Sequence, residues 1–339
     1  MMRRCSRLLL AALVFVVPAA ARAQDTRSRV LIVSGIGGEP RYRETFFEWG
    51  ATMAKAAMQR WGVPRAAVTF LTEQPERAPS ITSGRSTKEE VEKAFASIGA
   101  SAGPADVVFI LLIGHGSFQN NESRLSLPGP DLTADDFAKL VGSLGSRRVV
   151  LVNVASASGE FVKAVSGPNR IVITSTKSGM ERNEARFGQF FVDAFAGDGA
   201  DADKDGAVSM LEAFQYARRE TLRQYESDKT ILTEHAVIDD DGDGKGSSEI
   251  TESATDGRLA RSTFLGSGAV TAGAEAPPGA SPALRALYEK KKDLEKRVSE
   301  LRALKDTMDP ERYQAELERL LVDLSLTNQE IRRMEGGAS

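Results

Sequence analysis

Cysteine is nearly absent from this chain, which has 339 residues and a single cysteine, Cys5. Cys5 lies ahead of the first apolar run, inside a segment that we expect to be removed, and it is not placed as a lipoprotein cysteine would be. The mature chain is therefore expected to hold no cysteine. A disulfide framework, a thiolate metal site and a thiol nucleophile are excluded on that expectation.

Residues 1–23 have the pattern of a secretory signal peptide. Arg3, Arg4 and Arg7 precede the apolar run Leu8 to Val17, and Ala21-Arg22-Ala23 forms a small-x-small cleavage site. An apolar run of this length is too short to cross a bilayer, which needs about 20 residues. We therefore predict export to a periplasm or to the extracellular space. No other apolar stretch predicts a membrane span.

An excess of basic residues is also absent, with 44 lysines and arginines against 47 acidic residues. Cleavage after Ala23 removes four of the basic residues and none of the acidic ones, so the mature chain becomes more acidic. This balance gives no reason to expect nucleic acid as a partner. The apolar content of 41% is ample for one sizeable core.

Short apolar runs alternate with helical periods over most of the chain. The predicted strands are the apolar runs 30–33, 68–71, 107–113, 149–154 and 171–173. Helices are predicted between them, including one from Phe46 to Met58 and one that Thr87 and Glu90 begin as a capping box. The pattern predicts an α/β domain over residues 24–265, with a mostly parallel sheet covered by helices on both faces.

The composition changes after Leu265. Residues 266–281 are rich in glycine and alanine and predict a flexible linker. Residues 282–335 carry apolar heptads that are split at Asp309-Pro310, which predicts an antiparallel helical hairpin of coiled-coil type. Lys291 and Lys305 interrupt the heptads and weaken the case for a long coiled coil. The hairpin is either a self-contained pair or a surface for a protein partner or a second copy.

Two motifs follow neighbouring predicted strands. Gly114-His115-Gly116-Ser117 follows the run 107–113, and a turn of small residues that contains Ser156 and Gly159 follows the next strand. The functional crevice of such sheets lies outside the carboxyl ends of the strands, so His115 and Ser156 are expected at the mouth of one crevice. Each motif alone is compatible with an ordinary strand-end turn, and only their joint placement favours a site.

This arrangement resembles the caspase–legumain superfamily of cysteine peptidases. In that family a strand ending in His-Gly is followed, roughly forty to fifty residues later, by a strand ending in a cysteine within a small-residue turn. The similarity is greatest to legumain-like peptidases and their bacterial relatives, and it covers about residues 29–265. It implies that His115 stands at the position of the catalytic base and Ser156, which follows it by 41 residues, at that of the nucleophilic cysteine.

The serine at the nucleophile position changes the expected chemistry. A thiol is partly ionised near neutral pH, whereas a serine hydroxyl needs a well-oriented base, which efficient serine hydrolases orient with a carboxylate. No acidic residue in the sequence is placed to complete a triad with His115 and Ser156. We expect loss of peptidase activity, with slow catalysis by Ser156 as the alternative.

Residues 201–212 match the EF-hand calcium loop at its diagnostic positions. Calcium is a hard cation that takes six to eight oxygens, and this spacing directs them to one centre. The predicted ligands are the carboxylates at positions 1, 3, 5 and 12, the backbone carbonyl at 7 and a water-bridging hydroxyl at 9, which are Asp201, Asp203, Asp205, Glu212, Ala207 and Ser209. The alternative is an acidic surface loop that binds no ion.

A second acidic loop, at 239–252, begins like an EF-hand but lacks its ending. Its candidate calcium ligands are Asp239, Asp241 and Asp243, with Glu249 or Glu252 closing the shell. Binding and no binding are equally compatible with this loop. His235, the only histidine besides His115, precedes it and is interpreted as a hydrogen-bonded structural residue.

Three functions follow from these features. The first is an exported, calcium-binding pseudopeptidase that binds peptide or protein segments in the crevice without cutting them. The second is an active peptidase that uses Ser156 with His115. The third is a calcium-dependent assembly module that acts through the helical hairpin. Calcium can be regulatory or purely structural in any of them.

Overall fold

The computed structural model describes residues 28–336, except 146, 205, 252, 253, 267–275, 277–279 and 304–307. The predicted signal peptide, Asp205, Glu252, Lys305 and most of the predicted linker lie outside the described residues. The strands are β1 Ser28–Ser34, β2 Val68–Thr72, β3 Gly84–Arg85, β4 Val107–Ile113, β5 Gly116–Gln119, β6 Glu122–Leu125, β7 Leu132–Thr133, β8 Arg148–Asn153, β9 Arg170–Thr174 and β10 Val237–Asp239. The helices are α1 Pro40–Gln59, α2 Lys88–Ser101, α3 Ala134–Gly142, α4 Glu160–Val165, α5 Phe187–Ala196, α6 Met210–Ser227, α7 Arg258–Arg261, α8 Pro282–Ala303 and α9 Pro310–Gly336.

The main sheet has the strand order β10-β9-β8-β4-β1-β2-β3. All neighbouring strands in it pair in parallel except β10, which runs antiparallel to β9 at one edge. β4 lies near the centre, and each of its residues from Val107 to Ile113 is buried. The predicted α/β class with a mostly parallel sheet is therefore confirmed.

Helices cover both faces of the sheet, as the uninterrupted apolar strands predicted. Alternate strand residues point to opposite faces, so Val30 and Ile32 pack against α1, α5 and α6. Leu31 and Val33 pack in the second core against α2, α3 and α4. Two cores, one on each side, explain why the central strands carry no polar side chain over most of their length.

Sequence periodicity predicted all the long strands and missed the short ones. The structure adds β3, β10 and a separate antiparallel sheet of order β5-β6-β7. These elements have from two to four residues each, too few to show a hydrophobic period. The predicted capping box of α2 is only half formed: the Thr87 hydroxyl accepts the Glu90 N–H at 3.4 Å, while the Glu90 carboxylate pairs with Lys93.

The carboxyl-terminal helices α8 and α9 pack against each other as an antiparallel hairpin. Leu284 near the start of α8 contacts Ile331 near the end of α9. Leu294, Val298 and Leu301 form a second cluster with Leu320 and Leu324. Asp309 caps α9 by accepting the Arg312 N–H at 3.0 Å. The seam residue Lys291 is 2% exposed.

The hairpin also touches the α/β domain. Thr327 and Asn328 on α9 are 2% and 4% exposed, and the Asn328 side-chain amide donates to the Lys204 carbonyl at 3.0 Å. Lys204 belongs to the acidic loop between α5 and α6. Within the described part of the chain, no helix combines the length and the apolar character that crossing a membrane requires.

Candidate functional site

His115 and Ser156 lie at the same edge of the main sheet, beyond the carboxyl ends of β4 and β8. These strands pair in parallel up to Leu112 and Asn153, so the segments that follow them leave the sheet together. Gly114 turns the chain into His115 with a φ of 155°, a backbone conformation that favours glycine. The two candidate residues are therefore neighbours in the fold, as the strand-end motifs predicted.

The His115 ring is oriented by a main-chain carbonyl. Its Nε2 lies 3.1 Å from the carbonyl oxygen of Gly37, in the turn after β1. A carbonyl only accepts hydrogen bonds, so Nε2 carries the proton and Nδ1 is the acceptor of the neutral ring. Tyr42 and Phe46 of α1 pack edge-on against the ring, with centroid distances of 4.5 and 5.0 Å. In the described chain no carboxylate hydrogen-bonds this ring.

The Ser156 hydroxyl is engaged with the backbone instead of with His115. It donates to the Gly116 carbonyl at 3.3 Å and accepts the Gly116 N–H at 3.4 Å. A Cβ at position 116 would overlap the Ser156 carbonyl oxygen, so only glycine allows this approach. Ser156 is 8% exposed, and between described residues no hydrogen bond joins it to the His115 ring. The dyad that the sequence predicted is brought to one place but is not connected.

The turn after Ser156 is held by contacts that cross the sheet edge. Ala157 adopts a φ of 54°, a left-handed conformation that is uncommon without glycine, and its N–H donates to the Glu181 carbonyl at 2.7 Å. Gly159 approaches the backbone of Lys177 and Ser178 so closely that a Cβ would overlap it. The surroundings of Ser156 are therefore preorganised.

Glu181 is the central residue of this support, and sequence reasoning did not identify it. Its carboxylate accepts the N–H groups of Lys177 and His235, each at 3.1 Å, and lies 2.6 Å from Nδ1 of His235. His235 is thus a hydrogen-bonded structural residue, as predicted. Glu181 and His235 are 54 residues apart, so no local spacing signals the pair.

The acidic loop 201–212 brings together three of the four carboxylates that its spacing predicted, and the fourth, Asp205, lies outside the described residues. Oxygens of Asp201, Asp203 and Glu212 lie within 4.8 Å of one another. The Glu212 carboxylate accepts the N–H groups of Ala202 and Asp203 at 2.9 and 3.3 Å, which folds the start of the loop onto the first turn of α6. The Ser209 hydroxyl caps α6 and donates to Glu212 at 2.9 Å.

The charges of this loop are incompletely compensated by the protein. Burial raises the pKa of Asp201 and the pKa of Glu212, and the nearby charge of Asp203 raises both further. Oδ2 of Asp201 accepts the Gly206 N–H at 3.1 Å, whereas its buried Oδ1 has no hydrogen-bond partner among the described residues. Hard, closely spaced oxygen ligands suit Ca²⁺. The residues present therefore fit this ion.

The second acidic loop is more exposed. Oxygens of Asp239, Asp241 and Asp243 also lie within 4.8 Å of one another, but only Asp239 is buried. The Ser166 hydroxyl donates to Asp239 at 3.1 Å. Glu249, one of the two residues considered for closing the shell, pairs with Arg218 at 3.0 Å. This loop is the weaker of the two metal-site candidates.

Comparisons with known proteins leave the family open. No family model matches the sequence, and no curated protein matches it. Among solved structures, the chain is similar to protein GSU0716 from Geobacter sulfurreducens, with a TM-score of 0.40 and 13% sequence identity over 63% of this chain and 92% of that one.

Proposed function

We propose that this chain is an exported, calcium-binding member of the caspase–legumain-like group that binds peptide segments without cleaving them. The observation that carries the proposal is the state of Ser156, whose hydroxyl is hydrogen-bonded to the Gly116 backbone and not to His115. A serine nucleophile needs a general base within about 2.6–3.2 Å. No carboxylate supports His115 in the described chain.

Two further features support the resemblance. His115 and Ser156 follow adjacent central strands, at the edge of the sheet where parallel α/β proteins bind ligands. The turn around Ser156 is held in a fixed shape by Glu181 and by the close packing of Gly159. A preorganised turn without a nucleophile suits binding, because little conformational entropy is lost when a peptide docks.

Calcium is proposed as the resident ion of loop 201–212. Asp201, Asp203 and Glu212 would hold it, and the two positive charges of the ion would offset most of the charge of these three clustered carboxylates. Binding that favours the folded state raises stability by mass action, so calcium can be structural here without regulating the crevice. The loop 239–252 is proposed as a weaker second site.

One observation favours the alternative of an active serine peptidase. The Nε2–H of His115 donates to Gly37, which leaves Nδ1 as the proton acceptor of the neutral ring. The two functions are separated by cleavage of a fluorogenic peptide library, in calcium and in chelator, by the natural protein, Ser156→Ala and Ser156→Cys.

We expect no turnover by the natural protein or by Ser156→Ala, and turnover by Ser156→Cys. Peptides that the cysteine variant cleaves then serve as probes, and the natural protein should bind the same sequences in fluorescence anisotropy. Turnover by the natural protein that disappears in Ser156→Ala would establish the peptidase instead. If none of the three proteins cleaves the library and the natural protein binds none of its peptides, both functions are rejected.

The contact between Asn328 and Lys204 favours a role for the hairpin as well, since it joins α9 to the acidic loop. Under the assembly hypothesis, deleting 281–339 changes the oligomeric state in calcium. An unchanged oligomeric state and partner set would reject that hypothesis and leave peptide binding unaffected.

A further inference from the structure

A cavity of about 200 Å³ lies away from the crevice, between α5, α6 and the segment 232–236 that leads into β10. Its apolar wall includes Phe187, which is fully buried, together with Leu222 and Leu232. Leu222 is 43% exposed, and Ile231, next to the cavity in sequence, is 85% exposed. Exposed large apolar side chains beside a concave pocket are typical of a ligand site.

The other wall of the cavity is cationic. Arg218 and Arg219 of α6 both line it. Arg218 pairs with Glu249, whose side chain is 75% exposed, and such surface ion pairs contribute little to stability. Arg219 shares the carboxylate of Glu220 with Arg223, so one acid serves two guanidinium groups. Both arginines can therefore turn to an incoming anion at small cost.

The one buried acid of the cavity does not oppose an anion. The Glu234 carboxylate accepts the N–H groups of Arg186 and Phe187 at 2.7 and 3.1 Å, at the start of α5. Its charge is thus directed at the amino terminus of that helix, where negative charge is favoured. An anionic ligand at the mouth would pair with Arg218 and Arg219 in place of Glu249 and Glu220.

We propose that this cavity binds a small monocarboxylate with an apolar body, its carboxylate on Arg218 and Arg219 and its body against Leu222 and Leu232. The volume equals roughly seven water molecules at about 30 Å³ each, which suits a ligand the size of hexanoate. The site is separate from the crevice and does not depend on the proposed function.

A hydrogen-bonded connection leads from this cavity to the crevice. His235 lines the cavity, and its Nδ1 lies 2.6 Å from the Glu181 carboxylate. The Glu181 carbonyl accepts the N–H of Ala157, which directly follows Ser156. A ligand that packs against His235 restrains this connection and is expected to slow amide exchange at Ala157. This coupling, unlike the cavity, has a role only if the crevice has the proposed function.

The test uses the full chain and three probes of one size: hexanoate, hexanol and hexylammonium, titrated by ligand-observed NMR. Hexanoate should bind about tenfold more tightly than either of the others, because charge-assisted hydrogen bonds add to a shared apolar contact. Equal affinity of the three probes, or no binding of hexanoate, would overturn the proposal.

Substitutions test the role of each wall of the cavity separately. Arg218→Gln should weaken hexanoate about tenfold and leave hexanol unchanged, and the retained hexanol binding shows that the variant is folded. Leu222→Ser should weaken all three probes. Arg223→Gln, at an exposed position on the same helix outside the cavity, is the matched control. It only leaves Glu220 to pair with Arg219 alone, so its effect on hexanoate should be much smaller than that of Arg218→Gln. An effect of Arg223→Gln equal to that of Arg218→Gln would refute the assigned anion contact.

Amide exchange tests the coupling independently of any peptide. In the natural protein, the Ala157 amide should exchange more slowly in the presence of saturating hexanoate than in its absence. Exchange that is unchanged while hexanoate is bound would refute the coupling, whatever the crevice binds.

Discussion

The crevice and the acidic loop are both built from residues that the sequence singles out, but they differ in how their polar groups are satisfied. In the crevice, His115 bonds to Gly37 and Ser156 bonds to Gly116, so each candidate group has a partner of its own. In the acidic loop, three carboxylates converge and a buried oxygen of Asp201 has no hydrogen-bond partner among the described residues. The two crevice groups are thus satisfied by the backbone, whereas the acidic loop keeps closely spaced carboxylates that repel one another.

This difference has a structural origin. The loop is a contiguous twelve-residue motif, and its spacing alone directs the carboxylates inward. The crevice is assembled from the segments that follow β1, β4, β8 and β9. Backbone groups of one segment form hydrogen bonds with side chains of another. A motif can therefore predict the geometry of the loop but not the pairing of groups in the crevice.

The largest expected effect is the stabilisation of the protein by calcium. If a calcium concentration of about 1 mM is roughly 1,000 times the Kd of the site, calcium should add about 4 kcal/mol to the free energy of unfolding. For a domain of this size the melting temperature would rise by roughly 8–16 °C relative to chelator. Asp201→Asn should abolish most of this rise, yet be at least as stable as the natural protein in chelator, because it removes repulsion.

Asp198→Asn is the matched control for this prediction. Asp198 is a nearby acid outside the carboxylate cluster and pairs with Arg60. Its calcium-dependent rise in melting temperature should equal that of the natural protein. A melting temperature that is the same in calcium and in chelator would contradict the proposed calcium site.

The next effect probes the close packing of the crevice. Gly116→Ala should lower the free energy of unfolding by about 3 kcal/mol, because its Cβ would overlap the Ser156 carbonyl oxygen. Gly142→Ala at the end of α3 meets open space and should be neutral or slightly stabilising. Denaturant unfolding measures both. Equal stability of the two variants would mean that the Gly116 contact is not required.

The contact between the hairpin and the acidic loop predicts a smaller effect. Asn328→Ala removes the hydrogen bond to the Lys204 carbonyl and should cost about 1 kcal/mol. Gln329→Ala, at an exposed neighbouring position, should be neutral. Urea unfolding of the full chain compares the two. If both variants behave alike, the acidic loop does not contribute to holding the hairpin.

The smallest effect concerns Glu234, a buried carboxylate that has hydrogen-bond partners, in contrast to Oδ1 of Asp201. Burial raises the pKa of Glu234. Its protonation therefore adds stability that is fully present below the unfolded pKa and is lost as pH rises through the folded pKa. Glu234→Gln stays neutral, so its stability relative to the natural protein should rise with pH across that window. A difference in melting temperature that is constant between pH 4 and pH 7 would contradict this.

Local patterns predicted most of the fold and the convergence of carboxylates in the acidic loop. The apolar runs that became β1, β2, β4, β8 and β9 are long enough to show burial on both faces, and the heptads of α8 and α9 predicted an antiparallel pair. The EF-hand spacing predicted three carboxylates that the structure brings together, while Asp205 lies outside the described residues. The short strands and the edge strand β10 were missed because a few residues carry no period.

What the sequence determined by itself were features that depend on neighbours a few residues away: the apolar faces of the helices, the buried cores of the long strands, the capping of α9 and the convergence of the acidic loop. Only the tertiary structure decided that Ser156 faces the Gly116 backbone, that His115 bonds to Gly37 and that Glu181 joins His235 to the turn after Ser156. These pairings link residues 24 to 78 positions apart in the chain. Their geometry depends on how the strands and helices pack, and that packing follows from the whole core rather than from any single motif.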